Sequence, residues 1–89
     1  MVKAFLEYVV KNLVDAPELV VVHEVQASGR SVYELEVHQD DVGKVVGKQG
    51  QTIAAIRTLV GAAASRGAQR IDVEILEGGR TRAHHSPSE

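Results

Sequence analysis

This sequence predicts an α+β sandwich in which helices cover one face of a three-stranded sheet. Apolar residues recur at helical spacing near the start and again after residue 50. Two stretches, 32–38 and 70–76, alternate apolar and polar residues as half-buried strands do. Between them a glycine-punctuated loop, Gly47-Lys48-Gln49-Gly50, separates two helical runs. Strands with one apolar face each require a helical layer to cover them.

In chain order, Val2, Phe5, Leu6, Val9, Val10 and Leu13 form one stripe, with Lys3, Glu7, Lys11 and Asn12 opposite. This is an amphipathic helix ending near Val14, before Asp15-Ala16-Pro17. Its polar face is too sparsely cationic for a membrane-surface helix, so core packing is the better reading. Leu19–Ala27 is rich in valine and reads as a strand. Ser28-Gly29-Arg30 is a turn. Val32–His38 then places Tyr33, Leu35 and Val37 on one face, which makes an antiparallel hairpin. With Val21 and Val25 inward, Val20 and Val22 fall on the open face, and an exposed valine patch there marks a protein interface.

Asp40 or Asp41 caps a short helix running through Val46. From Gln51 onward, Ile53, Ile56, Leu59, Val60 and Ala63 form the apolar stripe, with Thr52, Arg57, Thr58 and Arg66 facing away. Gly67 ends that helix. Arg70–Leu76 sets Ile71, Val73 and Ile75 against Arg70, Asp72 and Glu74. The residues after Glu77 have no apolar period and read as a disordered tail.

At 89 residues the chain is a single domain. Its net charge of −2 and pI near 6.1 exclude a broad basic coat for nucleic acid, leaving room only for a local cationic cleft. Phe5, Tyr8 and Tyr33 are the only aromatics, too few for binding by base stacking. Without cysteine there is no disulfide or thiol chemistry. Charges interrupt every apolar run, so neither a signal peptide nor a membrane span is expected, and a cytoplasmic protein is the default.

The loop carries the chemistry. Gly47 and Gly50 allow a tight turn and leave no side chain to block a close partner. The following helix start favours an anion, and Lys48 adds a positive charge at the tip. Gly43 to Gln49 superficially echoes a nucleotide-binding P-loop. That motif, however, needs four residues between its glycines and a hydroxyl after the lysine, where this chain has three and Gln49. His23 and His38, read as paired across the hairpin, and His84-His85 in the tail do not make a set of fixed zinc ligands. No nucleophile–base pair stands at a recognisable spacing, so neither an enzyme nor a cofactor is expected.

Val45-Val46-Gly47-Lys48-Gln49-Gly50-Gln51-Thr52-Ile53, with Gly43 upstream and Ile56 downstream, resembles the GXXG signature of the KH domain. The α-β-β-α-α-β order resembles its type II arrangement, and the compact chain is similar to the small bacterial single-KH proteins of the KhpA group. The resemblance implies a KH domain over residues 1–77, a tail over 78–89, and a cleft for about four nucleotides of single-stranded RNA. Gly47, Lys48, Gln49 and Gly50 would clamp the sugar–phosphate backbone. Gly43, Lys44, Val46 and Ile53 would form the helical wall and apolar floor, with Arg57 as a further cation. The segment from Arg66 through Arg70 to Ile71 would be the opposite wall. The resemblance also implies a cytoplasmic RNA chaperone that forms a homodimer or pairs with a larger Jag-type RNA-binding protein. Links to cell-wall homeostasis and cell length accompany some members. A second reading stays open: an assembly module that contacts RNA only weakly alone.

Overall fold

A computed structural model describes residues 2–63, 70–77 and 80–81. Helix α1 spans Val2–Leu13 and strand β1 Val21–Ala27, with a 3₁₀ turn at Pro17–Leu19 between them. Strand β2, Arg30–Glu36, follows a tight turn in which Gly29 has φ 74°. A 3₁₀ turn at Gln39–Asp41 leads into helix α2, Val42–Val46. A further 3₁₀ turn, Lys48–Gly50, leads into helix α3, Gln51–Ala63. Strand β3 is Arg70–Glu77 and strand β4 is Arg80–Thr81.

The sheet order is β1-β2-β3-β4. β1 and β2 pair antiparallel, with Val22 opposite Leu35 and Val25 opposite Val32. β2 and β3 pair parallel, with Tyr33 opposite Val73 and Leu35 opposite Ile75. A parallel neighbour needs a crossover, which the segment carrying α2 and α3 supplies. The expected α+β sandwich is therefore present. β4 adds two residues to it, pairing Thr81 with Leu76 and Arg80 with Glu77 where the sequence shows no apolar period. The tail beyond residue 81, with His84 and His85, lies outside the described residues, as does Gly67.

The core forms where the helices meet one face of the sheet. Val22, Tyr33, Leu35, Val73 and Ile75 face Leu6 and Val10 of α1, Val42 and Val45 of α2, and Ile53, Ile56 and Val60 of α3. Leu6, Leu35, Val10, Val45 and Val60 are fully enclosed. Truncating a leucine in such a position costs about 2–5 kcal/mol, a large share of a small domain's stability.

Four side-chain assignments differ from the sequence reading. Phe5, counted in the apolar stripe of α1, is 38% exposed. Val20 and Val22 are buried, whereas Val21 and Val25 are more than 40% exposed. The register explains the inversion: β2 turns Leu35 inward, and Val22 lies directly opposite Leu35. Leu59 is 55% exposed although it was counted in the core stripe of α3. It sits about a quarter turn from the centre of that stripe, where Ile53, Ile56 and Val60 already fill the contact. His38 lies beyond the end of β2 and is not paired with His23, whose Nε2 instead meets Glu36 Oε1 at 2.9 Å.

Towards the end of β1 the helix-side positions turn polar. Tyr33 donates its hydroxyl to Glu24 Oε2 at 3.1 Å. Burial, with the Glu24 carboxylate beside it, pushes the Tyr33 phenol above its ordinary value.

Candidate nucleic-acid interface

Five residues make too short a helix to stand alone, and α2 is held by anchors at both ends. Val42 and Val45 are buried in the core. At its start, Asp41 was expected as a possible cap, yet its carboxylate makes no capping bond within the helix. It instead accepts the Ala16 N–H at 3.1 Å and pairs with Lys44 Nζ at 3.4 Å. The preceding turn is capped by His38, whose Nδ1 accepts the Asp40 N–H at 3.0 Å. Asp41 therefore ties the exit of α1 to the start of α2. Burial works to raise its pKa, but the Ala16 and Asp15 amides and the Lys44 ammonium outweigh it and hold the carboxyl below its ordinary value. Lys44 is raised by Asp15, 3.4 Å from its Nζ, and then by Asp41. Its charge is thus matched by two carboxylates, which sequence spacing alone did not reveal.

The loop after α2 turns on Gly47. Its N–H donates to the Gly43 carbonyl at 2.8 Å and closes the helix. Its backbone, φ 79° and ψ 172°, lies in a region only glycine enters readily. A Cβ there would also collide with the side chain of Thr52 and come within 2.8 Å of the Thr52 nitrogen. Gly50, at φ 75°, donates to the Gly47 carbonyl at 3.0 Å, and its missing Cβ leaves open space. Between them Gln49 adopts φ 56° and ψ 26°, a left-handed conformation uncommon for a residue with a side chain. The tip thereby presents Lys48 and Gln49 as exposed side chains. Lys48 makes no ion pair with any described residue.

Behind the loop, Val46 is half-buried and Ile53 is a core residue beneath the start of α3. Arg57 is exposed, as expected from its place off the apolar stripe, and its guanidinium also reaches across to β3. Its Nε and Nη2 donate to the Val73 carbonyl at 3.1 and 2.9 Å. It lies about 10 Å along the helix from Gly50, one or two nucleotides of an extended strand. A cavity of about 330 Å³ opens beside it, lined by Arg57, Ile71, Asp72, Val73 and Glu74. A cue was present in the sequence: Arg57 follows Ile53 by four residues and precedes Val60 by three, so it borders the buried stripe.

At the start of β3, Arg70 is exposed and its Nε meets Asp72 Oδ1 at 3.3 Å, while Arg30 Nη1 holds Asp72 Oδ2 at 2.8 Å. Ile71 is half-buried at the cavity. Arg66 lies outside the described residues. The fold thus brings together a glycine loop with a free cation, an arginine seven residues along the same helix, and the adjoining edge of β3. Asp72, Val73 and Glu74 are lining residues that the sequence reading did not single out.

Comparison with known proteins places the chain in a family. The family model described as the KH domain of KhpA and KhpB matches residues 3–75. An RNA-binding protein KhpA of Chlamydia pneumoniae is 52% identical over 75 residues, covering 84% of this chain and 96% of that protein. The protein of the same name in Oceanobacillus iheyensis is 46% identical over 74 residues, 83% and 99% of the two chains. That of Borreliella burgdorferi is 40% identical over 72 residues, 81% and 88%. No solved structure gives a significant match.

Proposed function

The chain belongs to the KhpA/KhpB family of KH domains, and we propose that it binds single-stranded RNA in the cleft between the Gly47–Gly50 loop and the edge of β3. The observation that carries this reading is the loop: two glycines in left-handed backbone flank an exposed Lys48 with no described counter-ion. Phosphate contacts position a strand, and base contacts specify it. Lys48 and Gln49 hold phosphate at the tip, while Arg57 and the cavity beside Val73 receive a base. None of the three aromatics lines this cleft: Phe5 and Tyr8 lie on α1, and Tyr33 is buried on β2. Bases therefore rest on aliphatic surface. The same reading makes the protein a cytoplasmic RNA chaperone without catalytic chemistry of its own. Among the described residues no helix is long and apolar enough to cross a membrane.

The test replaces Lys48→Asp and Gln49→Asp together. Both side chains are exposed, so thermal melting followed by circular dichroism should be nearly unchanged. Binding of a labelled single-stranded RNA, read by anisotropy, should fall at least tenfold. With two to four phosphates engaged, the log–log salt slope of the unmodified protein should be about −1 to −3. Unchanged affinity in the double variant would remove the loop from the binding site. Equal binding to a fully paired stem would remove the single-strand preference.

A second reading, an assembly module that dimerises or joins a larger Jag-type RNA-binding protein, is favoured by the exposed apolar side chains of Val21, Val25 and Leu59.

A further inference from the structure

Two of the chain's three aromatic rings stand in solvent on α1. Tyr8 is 70% exposed, the most of any large apolar side chain among the described residues, and Phe5, one turn before it, is exposed as well. Large rings left together in solvent mark an interaction surface. Side chains on a helix lean towards its N-terminus, so the Tyr8 ring lies over the turn of Ala4 and Phe5. Ala4 is small and exposed, which leaves the ring accessible. Lys11 and Asn12, three and four residues on, are exposed on the same side. Glu7, the one carboxylate of α1, lies about 100° round the helix from Tyr8.

The cations point the same way. Among the described residues, Arg30, Lys44 and Arg70 are matched by carboxylates. Lys3, Lys11, Lys48 and Arg57 meet none. Lys48 and Arg57 belong to the cleft already described, whereas Lys3 and Lys11 both lie on α1. Lys11 is one turn nearer than Tyr8 to the end of that helix. There the Asp41 bond to the Ala16 amide and the Lys44 pair with Asp15 tie α1 to α2. Apart from this junction, the path from Tyr8 down α1 and along α2 to Gly47 is about 15 Å of helix. Tyr8 is therefore within a few nucleotides of the loop.

We propose that the solvent face of α1, Tyr8 with Phe5 and Lys11, is a second contact for single-stranded RNA, engaged by strands longer than the cleft holds. The proposal rests on the RNA-binding reading above. A base stacks on the Tyr8 ring and Lys11 holds a neighbouring phosphate, the combination of aromatic face and cation that holds single strands without regard to sequence. Two rings are too few to make a site alone, but they extend one. A bilayer is the poorer occupant: the apolar stripe of α1, with Leu6 and Val10, is buried in the core and has no acyl chains to meet. The α1 face thus adds reach and affinity, while the loop positions the strand.

The experiment uses the full chain and a labelled twelve-nucleotide single-stranded RNA, with Tyr8→Ala, Tyr8→Phe and the double variant Lys48→Asp, Gln49→Asp. Tyr8 is exposed, so both of its variants should melt as the unmodified protein does. By anisotropy Tyr8→Ala should bind at least about fivefold more weakly, the lower end of what one stacked base contributes. Tyr8→Phe keeps the ring and should bind like the unmodified protein. Tyrosine emission reads the contact directly. The chain has no tryptophan and Tyr33 is buried against Glu24, so RNA should quench the unmodified protein more than Tyr8→Ala. Unchanged affinity in Tyr8→Ala, or an equal loss in Tyr8→Phe, overturns the stacking contact. A dimer lost in Tyr8→Ala by sedimentation overturns it too, and assigns the face to self-association. Quenching by phosphatidylglycerol vesicles but not by RNA would give the face to a membrane. The cleft is judged apart from this: loss in the double variant alone keeps the cleft and removes α1, and loss in Tyr8→Ala alone keeps α1 and removes the loop. If no form binds RNA, both readings fall.

Discussion

Asp41 shows how one buried side chain places a loop it never touches. Its carboxylate holds the Ala16 amide and Lys44, and so fixes the start of the helix whose end is Gly47. The carboxyl sits below its ordinary value of 3.8. On acidification the unfolded chain therefore takes up this proton first, and over that window stability rises with pH. The contribution is complete above the ordinary value and is lost as pH falls through the lower folded-state value. Asp41→Asn should thus lower the urea midpoint at about pH 7, and the gap to the unmodified protein should shrink towards about pH 3. A gap that stays constant across that range would show that the carboxylate charge is not its source. At this scale the loop was legible, because Gly47 and Gly50 state their backbone requirement in their identity. Arg57 was legible as a cation of the cleft but not in its bond to Val73, because a stripe of Cβ directions does not say how far a guanidinium reaches. Lys44 was read as part of the helical wall of the cleft, and only the fold brings Asp15 and Asp41 to its ammonium.

At the scale of elements, helices α1 and α3 and strands β2 and β3 were legible from periodicity, since each has one apolar face. β1 was legible as a strand but not in its facing. A run such as Val20-Val21-Val22 contains no alternation, so the choice of face passes to its neighbour. β2 makes that choice by turning Leu35 inward against Val22. The consequence is a sharp asymmetry between adjacent valines. Val22, 3% exposed, should not accept a charge, and Val22→Asp should destabilise by about 3 kcal/mol or more or prevent folding. Val21, 43% exposed, should tolerate Val21→Asp within about 0.5–1 kcal/mol. Urea denaturation of both variants at low protein concentration checks this, and equal losses would mean the register is wrong. β4 was not legible at all: two residues carry no period, and their pairing depends on Glu77 lying opposite Arg80.

For the molecule as a whole, a net charge of −2 limits what a small cationic loop can do alone. Three cations are also matched internally, Arg30 and Arg70 by Asp72 and Lys44 by Asp15 and Asp41. On the proposed RNA-binding reading, affinity in one copy should therefore be modest, and a second copy would offer the direct way to raise it, since two linked clefts bind one strand with a higher effective concentration. The surface permits this. One helical layer covers one face of the sheet, which leaves Val21 and Val25 uncovered on the other, and Leu59 stands out from α3 at 55% exposure. These are separate patches, one on the open sheet face and one on a helix flank. We expect sedimentation at tens of micromolar to show a dimer. Val25→Asp and Leu59→Asp, made separately, should leave the fold intact because both side chains are exposed, and the one that restores the monomer identifies the interface. If the Leu59 variant is monomeric and the Val25 variant is not, the copies meet through α3, beside the proposed RNA cleft, and RNA affinity should fall with the dimer. If the sheet face is the interface, the clefts lie apart and loss of the dimer should weaken binding only to RNA long enough to span both. A strict monomer in the unmodified protein would show that neither patch joins copies of this chain, and single-cleft binding would then stand alone.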